Sequence, residues 1–219
     1  MNYVVVPGAG SAGLVWEAAA TALDAVVLPL PDEPEVVAMA AALAPAVADI
    51  PRPRTLVGTS LGAMVALELA RVVEVDGLAL VAAGFGIAVG DSVLEWIAAN
   101  PPDLLDKMAS IGLADRDDTA LVAARRADFA ARGPAVLLRH LTALAAYRPS
   151  VPDPPPPAVV VWGERDRSVP LADHAQLALR LGGVLVPVAG AGHAPFLEQP
   201  EATVRAIRQL ERLAFTNAS

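Results

Sequence analysis

A chain of 219 residues is long enough for one domain around a single core and too short for two full ones. The absence of cysteine excludes disulfides, thiolate metal ligands and a cysteine nucleophile, and three histidines without a close pair give a metal site little to be built from. A net charge of -8 argues against a nucleic-acid partner, because phosphate binding needs concentrated Lys and Arg.

Short Val-rich runs alternate with longer Ala/Leu stretches of helical character, the pattern of βα units around a parallel sheet. The first strand is expected at residues 3–6. It lacks a basic flank and runs straight into Pro7-Gly8, so it reads as a buried strand rather than a signal peptide, and cytoplasm is the expected location. A helix at 14–23, a strand at 25–28, a helix at 35–48, a strand at 55–57, a helix at 61–72 and a strand at 77–81 follow. From 84 to 147 no strand pattern occurs, only helical ones at 92–99, 119–131 and 135–146. The expected organisation is therefore a core of residues 1–83 and 149–219 with a helical cap of 84–148 inserted in it. The proline-rich run from Pro149 to Pro157 is a stiff connector back to the sheet. A strand at 158–162, a helix at 171–181, a strand at 184–188 and a helix at 200–213 complete the pattern, with right-handed crossovers placing helices on both faces. No apolar stretch reads as a membrane span.

Gly58-Thr59-Ser60-Leu61-Gly62 is a G-x-S-x-G sequence between a strand and a helix. Alone it is weak, since such a pattern arises by chance in roughly one chain of this size in fifteen. Its setting strengthens it. A nucleophilic serine needs a sharp strand-to-helix turn that lifts it out of the sheet, and flanking glycines let the backbone pass without a Cβ clash. A serine hydroxyl also needs a base, and the base a group that orients it. Asp166 lies in Gly163-Glu164-Arg165-Asp166 after one expected strand, and His193 in Gly190-Ala191-Gly192-His193-Ala194-Pro195-Phe196 after the next. In a parallel sheet these strand ends share one edge, so Ser60, Asp166 and His193 can converge. The backbone amides of Leu61 and of Ala9, in the loop Pro7-Gly8-Ala9-Gly10-Ser11, are the candidate oxyanion donors.

The glycine loop, the serine turn, the G-x-x-D loop and the G-x-G-H-x-P-x-x-E-x-P segment together resemble the α/β-hydrolase superfamily over nearly the whole chain. The segment around His193 and the four-helix type of cap are similar to the pimeloyl-carrier-protein methyl ester carboxylesterases and related small esterases. The resemblance implies a mainly parallel sheet of about six strands, the chain starting where the third of the usual eight would be. It also implies a carboxylesterase-type serine hydrolase with Ser60 as nucleophile, His193 as base and Asp166 as orienting acid, needing no cofactor and no metal. Family members usually carry His-Gly where this chain has Pro7-Gly8, which removes a side chain that commonly buttresses the loop.

Competing readings stand beside these. Ser60 as a structural hydroxyl in a glycine turn, His193 as a surface histidine and Asp166 as a helix N-cap are the bland ones, and Glu164 is a nearby carboxylate. His140 and His174 lie inside helical patterns and read as structural or exposed. Apolar cap residues such as Trp96, Ile97, Leu104, Met108, Leu137 and Tyr147 read mainly as packing, with two or three expected to face the substrate. Arg125, Arg126, Arg132, Arg139 and Arg148 face one acid, Asp128, which fits a solvated helix face or a surface for an anionic substrate or an acyl carrier protein. The expected partner is a small-molecule ester, the expected assembly a monomer or homodimer, with no membrane. C–C bond hydrolysis or acyl transfer by the same triad, or a ligand sensor without turnover, are the alternatives.

Overall fold

The computed structural model describes residues 1–216. Six strands, β1 (Asn2–Val6), β2 (Val26–Val27), β3 (Arg54–Thr59), β4 (Gly77–Val81), β5 (Ala158–Gly163) and β6 (Val184–Val188), form one sheet in the order β2-β1-β3-β4-β5-β6. Every pairing is parallel, and one row runs Val4, Leu56, Leu78, Ala158 across four strands. The six expected strands are all present. β2 is reduced to two residues, as suits an edge strand with Val26 half exposed.

Alternate residues of each strand enter opposite cores, as the period of two requires. Val4, Val6, Leu56, Leu78 and Val160 pack toward α2 (Val36–Ala48), α3 (Leu61–Val72) and α8 (Leu171–Leu181). Tyr3, Val5, Val57, Ala79 and Val159 pack toward α1 (Glu17–Leu23) and α10 (Pro200–Ile207). Helix α3 is buried along Leu61 to Leu69, so its apolar character runs all round rather than along one stripe.

Four helices lie between β4 and β5: α4 (Asp91–Ala98), α5 (Leu104–Ser110), α6 (Thr119–Ala130) and α7 (Pro134–Ala146). Three coincide with expected helical patterns. α5 is the addition; it is only seven residues long and too short to show a period. Gly133, with φ of 83°, and Pro134 at the first helical position separate α6 from α7. The single helix expected at 200–213 is broken by a turn at Arg208 into α10 and α11 (Gln209–Thr216), and a short α9 (Pro195–Glu198) precedes it. Among the described residues no helix is long and apolar enough to cross a membrane.

A close backbone approach in this frame lies under the first turn of α3. A Cβ on Gly62 would stand 2.1 Å from the Val6 carbonyl oxygen and 2.3 Å from that of Pro7, both main-chain atoms that cannot swing aside. Gly62→Ala is expected to destabilise the protein by about 1–3 kcal/mol, lowering Tm by about 2–4 °C per kcal/mol for a chain of this size. Thermal unfolding followed by circular dichroism checks it, and an unchanged Tm contradicts the close approach.

Candidate active site

Ser60 occupies the turn between β3 and α3 with φ 52° and ψ -118°. An L-residue rarely adopts this conformation, and it persists only where surroundings over-determine it. Two bonds do so here: the Ser60 amide donates to the Val81 carbonyl at 3.0 Å, and the Ser60 carbonyl accepts the Ala63 amide at 3.0 Å. On the near side, a Cβ on Gly58 would fall 2.5 Å from the Gly62 carbonyl oxygen. Both glycines of G-x-S-x-G are thus required by space. Leu61 opens α3, so its amide stands at the positive end of the helix.

Asp166 and His193 come together as the sequence predicts. His193 Nδ1 lies 2.8 Å from Asp166 Oδ2, and the Asp166 carboxylate is fully buried. Its other oxygen accepts the Ser168 and Val169 amides at 2.7 and 3.1 Å, so every contact of this carboxylate favours its charged, accepting form. Glu164, the other carboxylate of that loop, is exposed. The loop carrying His193 is clamped by Glu198. Glu198 Oε1 accepts the Gly192 and Ala194 amides at 3.0 and 3.1 Å, while Oε2 accepts the Ala114 amide from the loop after α5. From that same loop the Gly112 carbonyl takes the His193 amide at 2.6 Å. Glu198 is a positioning group that sequence reasoning left without a role, although it is the E of the G-x-G-H-x-P-x-x-E-x-P segment.

The loop after β1 is held from a different quarter. The Gly10 amide donates to His140 Nδ1 at 3.1 Å, and the Ala12 and Leu14 amides donate to Asp128 Oδ1 at 3.1 and 2.7 Å. Both acceptors belong to helices between β4 and β5, α7 and α6. Trp16, just beyond the loop, stacks on Phe196, just beyond His193, with centroids 4.3 Å apart. Among the described residues neither the Ala9 nor the Leu61 amide is paired with a protein acceptor.

Ser60, His193 and Ala9 border one cavity of about 340 Å³. Its remaining wall is mostly apolar and includes Trp96, Met108, Phe129, Leu137 and Leu141 from the helices between β4 and β5. More of the apolar positions therefore face the cavity than the two or three expected. Ile97 and Leu104 are fully buried packing residues, and the Tyr147 hydroxyl donates to Glu68 at 2.5 Å. The five arginines are not a plain solvated face: Arg125 donates to the Ala109 and Ile111 carbonyls, Arg132 to that of Leu30, and Arg126 and Arg139 pair with Asp106 and Asp32. Arg148 donates to the Ala145 and Tyr147 carbonyls.

The model of a family described as "Alpha/beta hydrolase family" matches residues 3–206. No curated protein matches the chain in sequence. Among solved structures, a thermophilic esterase aligns with TM-score 0.83 at 22% identity, covering 97% of this chain and 90% of its own. A malate-bound thermophilic esterase from Thermogutta terrifontis aligns with TM-score 0.78 at 22% identity over 98% of this chain and 90% of its own. The enol-lactonase from Burkholderia xenovorans LB400 aligns with TM-score 0.80 at 17% identity, covering 96% of this chain and 91% of its own. At these identities the likeness is one of fold.

Electrostatics divides the buried groups into two sets. Burial pushes the Asp166 carboxyl up, but its bonds to His193, Val169 and Ser168 outweigh burial and leave it below the ordinary carboxylate range. Burial prevails at Asp128, whose carboxyl is raised despite its amide bonds, and lowers the Arg125 guanidinium to about 10. His140 and His174 are both fully buried, and burial lowers both below the usual histidine value. A histidine held neutral in the fold but free to protonate when unfolded makes the unfolded state the better proton acceptor below about pH 6.5. Stability is therefore expected to fall as pH drops from 7 to 5.5, by at most about 1.4 kcal/mol per pH unit for each such histidine. The raised Asp128 works with the opposite sign, so the contribution of one histidine is read as a difference. Urea unfolding at several pH values should show a shallower fall in His174→Asn than in the parent chain, and parallel curves would refute the assignment.

Proposed function

We propose that this chain, which belongs to the alpha/beta hydrolase family, is a serine hydrolase that cleaves small carboxylic esters through an acyl-enzyme intermediate. The observation that carries the reading is the buried Asp166 bonded to His193 beside a cavity whose floor holds Ser60 in a left-handed turn. In the proposed cycle His193 Nε2 takes the Ser60 proton as Ser60 Oγ attacks the ester carbonyl. The Nδ1 proton stays on His193 and is shared with Asp166, which fixes the tautomer and stabilises the imidazolium. The Ala9 and Leu61 amides receive the oxyanion, and the unpaired state of both supports that role. The imidazolium then protonates the departing alcohol. Water activated by the same His193 releases the acid and restores Ser60. Apart from the ester and water, the proposed cycle uses only these side chains and amides.

The reading treats residues 84–148 as a cap over a core of 1–83 and 149–219, since the cavity is roofed largely by residues of that interval. An apolar roof suits an acyl chain better than a charged or sugar-like group. Each added methylene of a nitrophenyl acyl ester is therefore expected to raise kcat/KM by up to roughly fourfold until the cavity is filled, and to lower it beyond. Ser60→Ala should reduce steady-state nitrophenol release by at least roughly a thousandfold, and Asp166→Asn by about the same factor, with KM little changed. Both rates come from the same absorbance assay. Binding without turnover, a single stoichiometric burst, or full activity in Ser60→Ala would overturn the proposal.

A further inference from the structure

The loop between β1 and the first helical turn carries the Ala9 amide, yet it contains little that holds itself in place. Pro7 has no N–H to donate, and Gly10, at φ 67°, stands in the region where glycine is least constrained. Within the loop the Ser11 amide donates to the Gly8 carbonyl at 3.2 Å. Further along, the Gly13 amide donates to Ser11 Oγ at 3.0 Å and Asp128 takes the Ala12 amide, while Gly10 itself is held from 130 residues away. His140 Nδ1 accepts the Gly10 amide at 3.1 Å, and His140 Nε2 lies 2.9 Å from the Pro31 carbonyl oxygen. A carbonyl only accepts and an amide only donates, so the two contacts specify one tautomer: the proton sits on Nε2 and the lone pair on Nδ1 faces Gly10. The ring is fully buried. One turn earlier on α7, Leu137 closes the other side of Gly10, where an added Cβ would stand 2.8 Å from Leu137 Cδ1.

We propose that His140 is a positioning residue for the oxyanion hole, acting through Gly10 on the Ala9 amide; the proposal rests on the serine-hydrolase reading above. The physical link is short. The Gly10 amide belongs to the rigid peptide plane joining residues 9 and 10, and the Ala9 amide to the plane joining 8 and 9. Fixing the first plane leaves only the two dihedrals of Ala9 between it and the second. With the lone pair of His140 removed, the Gly10 amide loses its acceptor, and the Ala9 amide loses the hydrogen bond that fixes its direction toward the carbonyl oxygen of the substrate. The ring touches no reacting atom, so its effect falls on the transition state rather than on substrate binding.

Two amide side chains separate the two nitrogens of the ring. His140→Asn sets an amide oxygen near the position of Nδ1 and keeps the acceptor for Gly10. His140→Gln sets an amide nitrogen near the position of Nε2, keeping the Pro31 bond and losing the acceptor. With a nitrophenyl acyl ester, the Gln variant is expected to lose roughly ten- to a hundredfold in kcat with KM nearly unchanged. Its affinity for a trifluoromethyl ketone, which forms a tetrahedral adduct with a serine hydroxyl, should fall by the same factor. The Asn variant should retain kcat within roughly threefold, the retained hydrogen bond being of ordinary strength. Equal kcat in the Gln variant and the parent, or equal losses in both variants, would overturn the role of the lone pair. If the Gln variant does not fold, amide exchange of ¹⁵N-labelled parent protein decides the matter: Gly10 should exchange slowly, and exchange at the rate of an open loop removes the proposed restraint. A parent chain that hydrolyses no ester defeats the serine-hydrolase reading itself, whereas an active parent with an undiminished Gln variant defeats only this inference.

Discussion

The contact between the first turn of α3 and the end of β1 is the constraint on which the rest depends. At Gly62 two stretches of backbone meet with no room for a single side-chain atom, the Val6 and Pro7 carbonyls standing where a Cβ would be. That approach draws α3 down across the sheet edge and brings the loop after β1 within reach of the turn after β3. It also leaves Ser60 nowhere to go but into a left-handed conformation, at a cost of order 1–3 kcal/mol. The packing of α3, buried from Leu61 to Leu69 against sheet and α2, supplies the stabilisation that offsets this strain. The serine is therefore presented by the core itself, and not by a flexible loop.

Parallel topology does the rest of the gathering. Loops leaving β1, β3, β5 and β6 carry Ala9, Ser60, Asp166 and His193, and all four leave from the same edge of one sheet. Distance along the chain becomes irrelevant once every strand points the same way. Orientation is a separate matter, and carboxylates govern it. Asp166 receives two amides and an imidazole, Glu198 receives three amides, and Asp128 receives the amides of Ala12 and Leu14. Each of these acids gathers several loop amides around one carboxylate, which is what a loop needs before it can hold a group still.

The helices between β4 and β5 have two functions in this arrangement. They roof the cavity with apolar side chains, and they hold the two loops that meet beneath it. The loop after α5 takes the His193 amide through Gly112, while α6 and α7 take the loop after β1 through Asp128 and His140. A roof tied in this way is part of the site, and movement of these helices would be felt by both loops. The loop after β1 thus takes an acceptor from an imidazole on α7, 130 residues away.

Local chemistry was written plainly in the chain. The continuous apolar run from Tyr3 to Val6 marked a buried strand, the glycines around Ser60 announced a turn without space for Cβ atoms, and the order of Asp166 and His193 after successive strands matched a parallel sheet. These features are legible because each depends on neighbours within a few residues, where backbone sterics dictate the pattern. Seven residues of α5, the break at Arg208 and the bonds from Arg125 to the Ala109 and Ile111 carbonyls left no comparable trace. Nor did the partners of Asp128, His140 and Glu198, since a buried polar side chain looks the same in sequence whether it caps its own helix or holds a loop 130 residues away. Which amide meets which acceptor is decided only when the layers pack, because close packing, and not any local preference, sets the distances at which those bonds form.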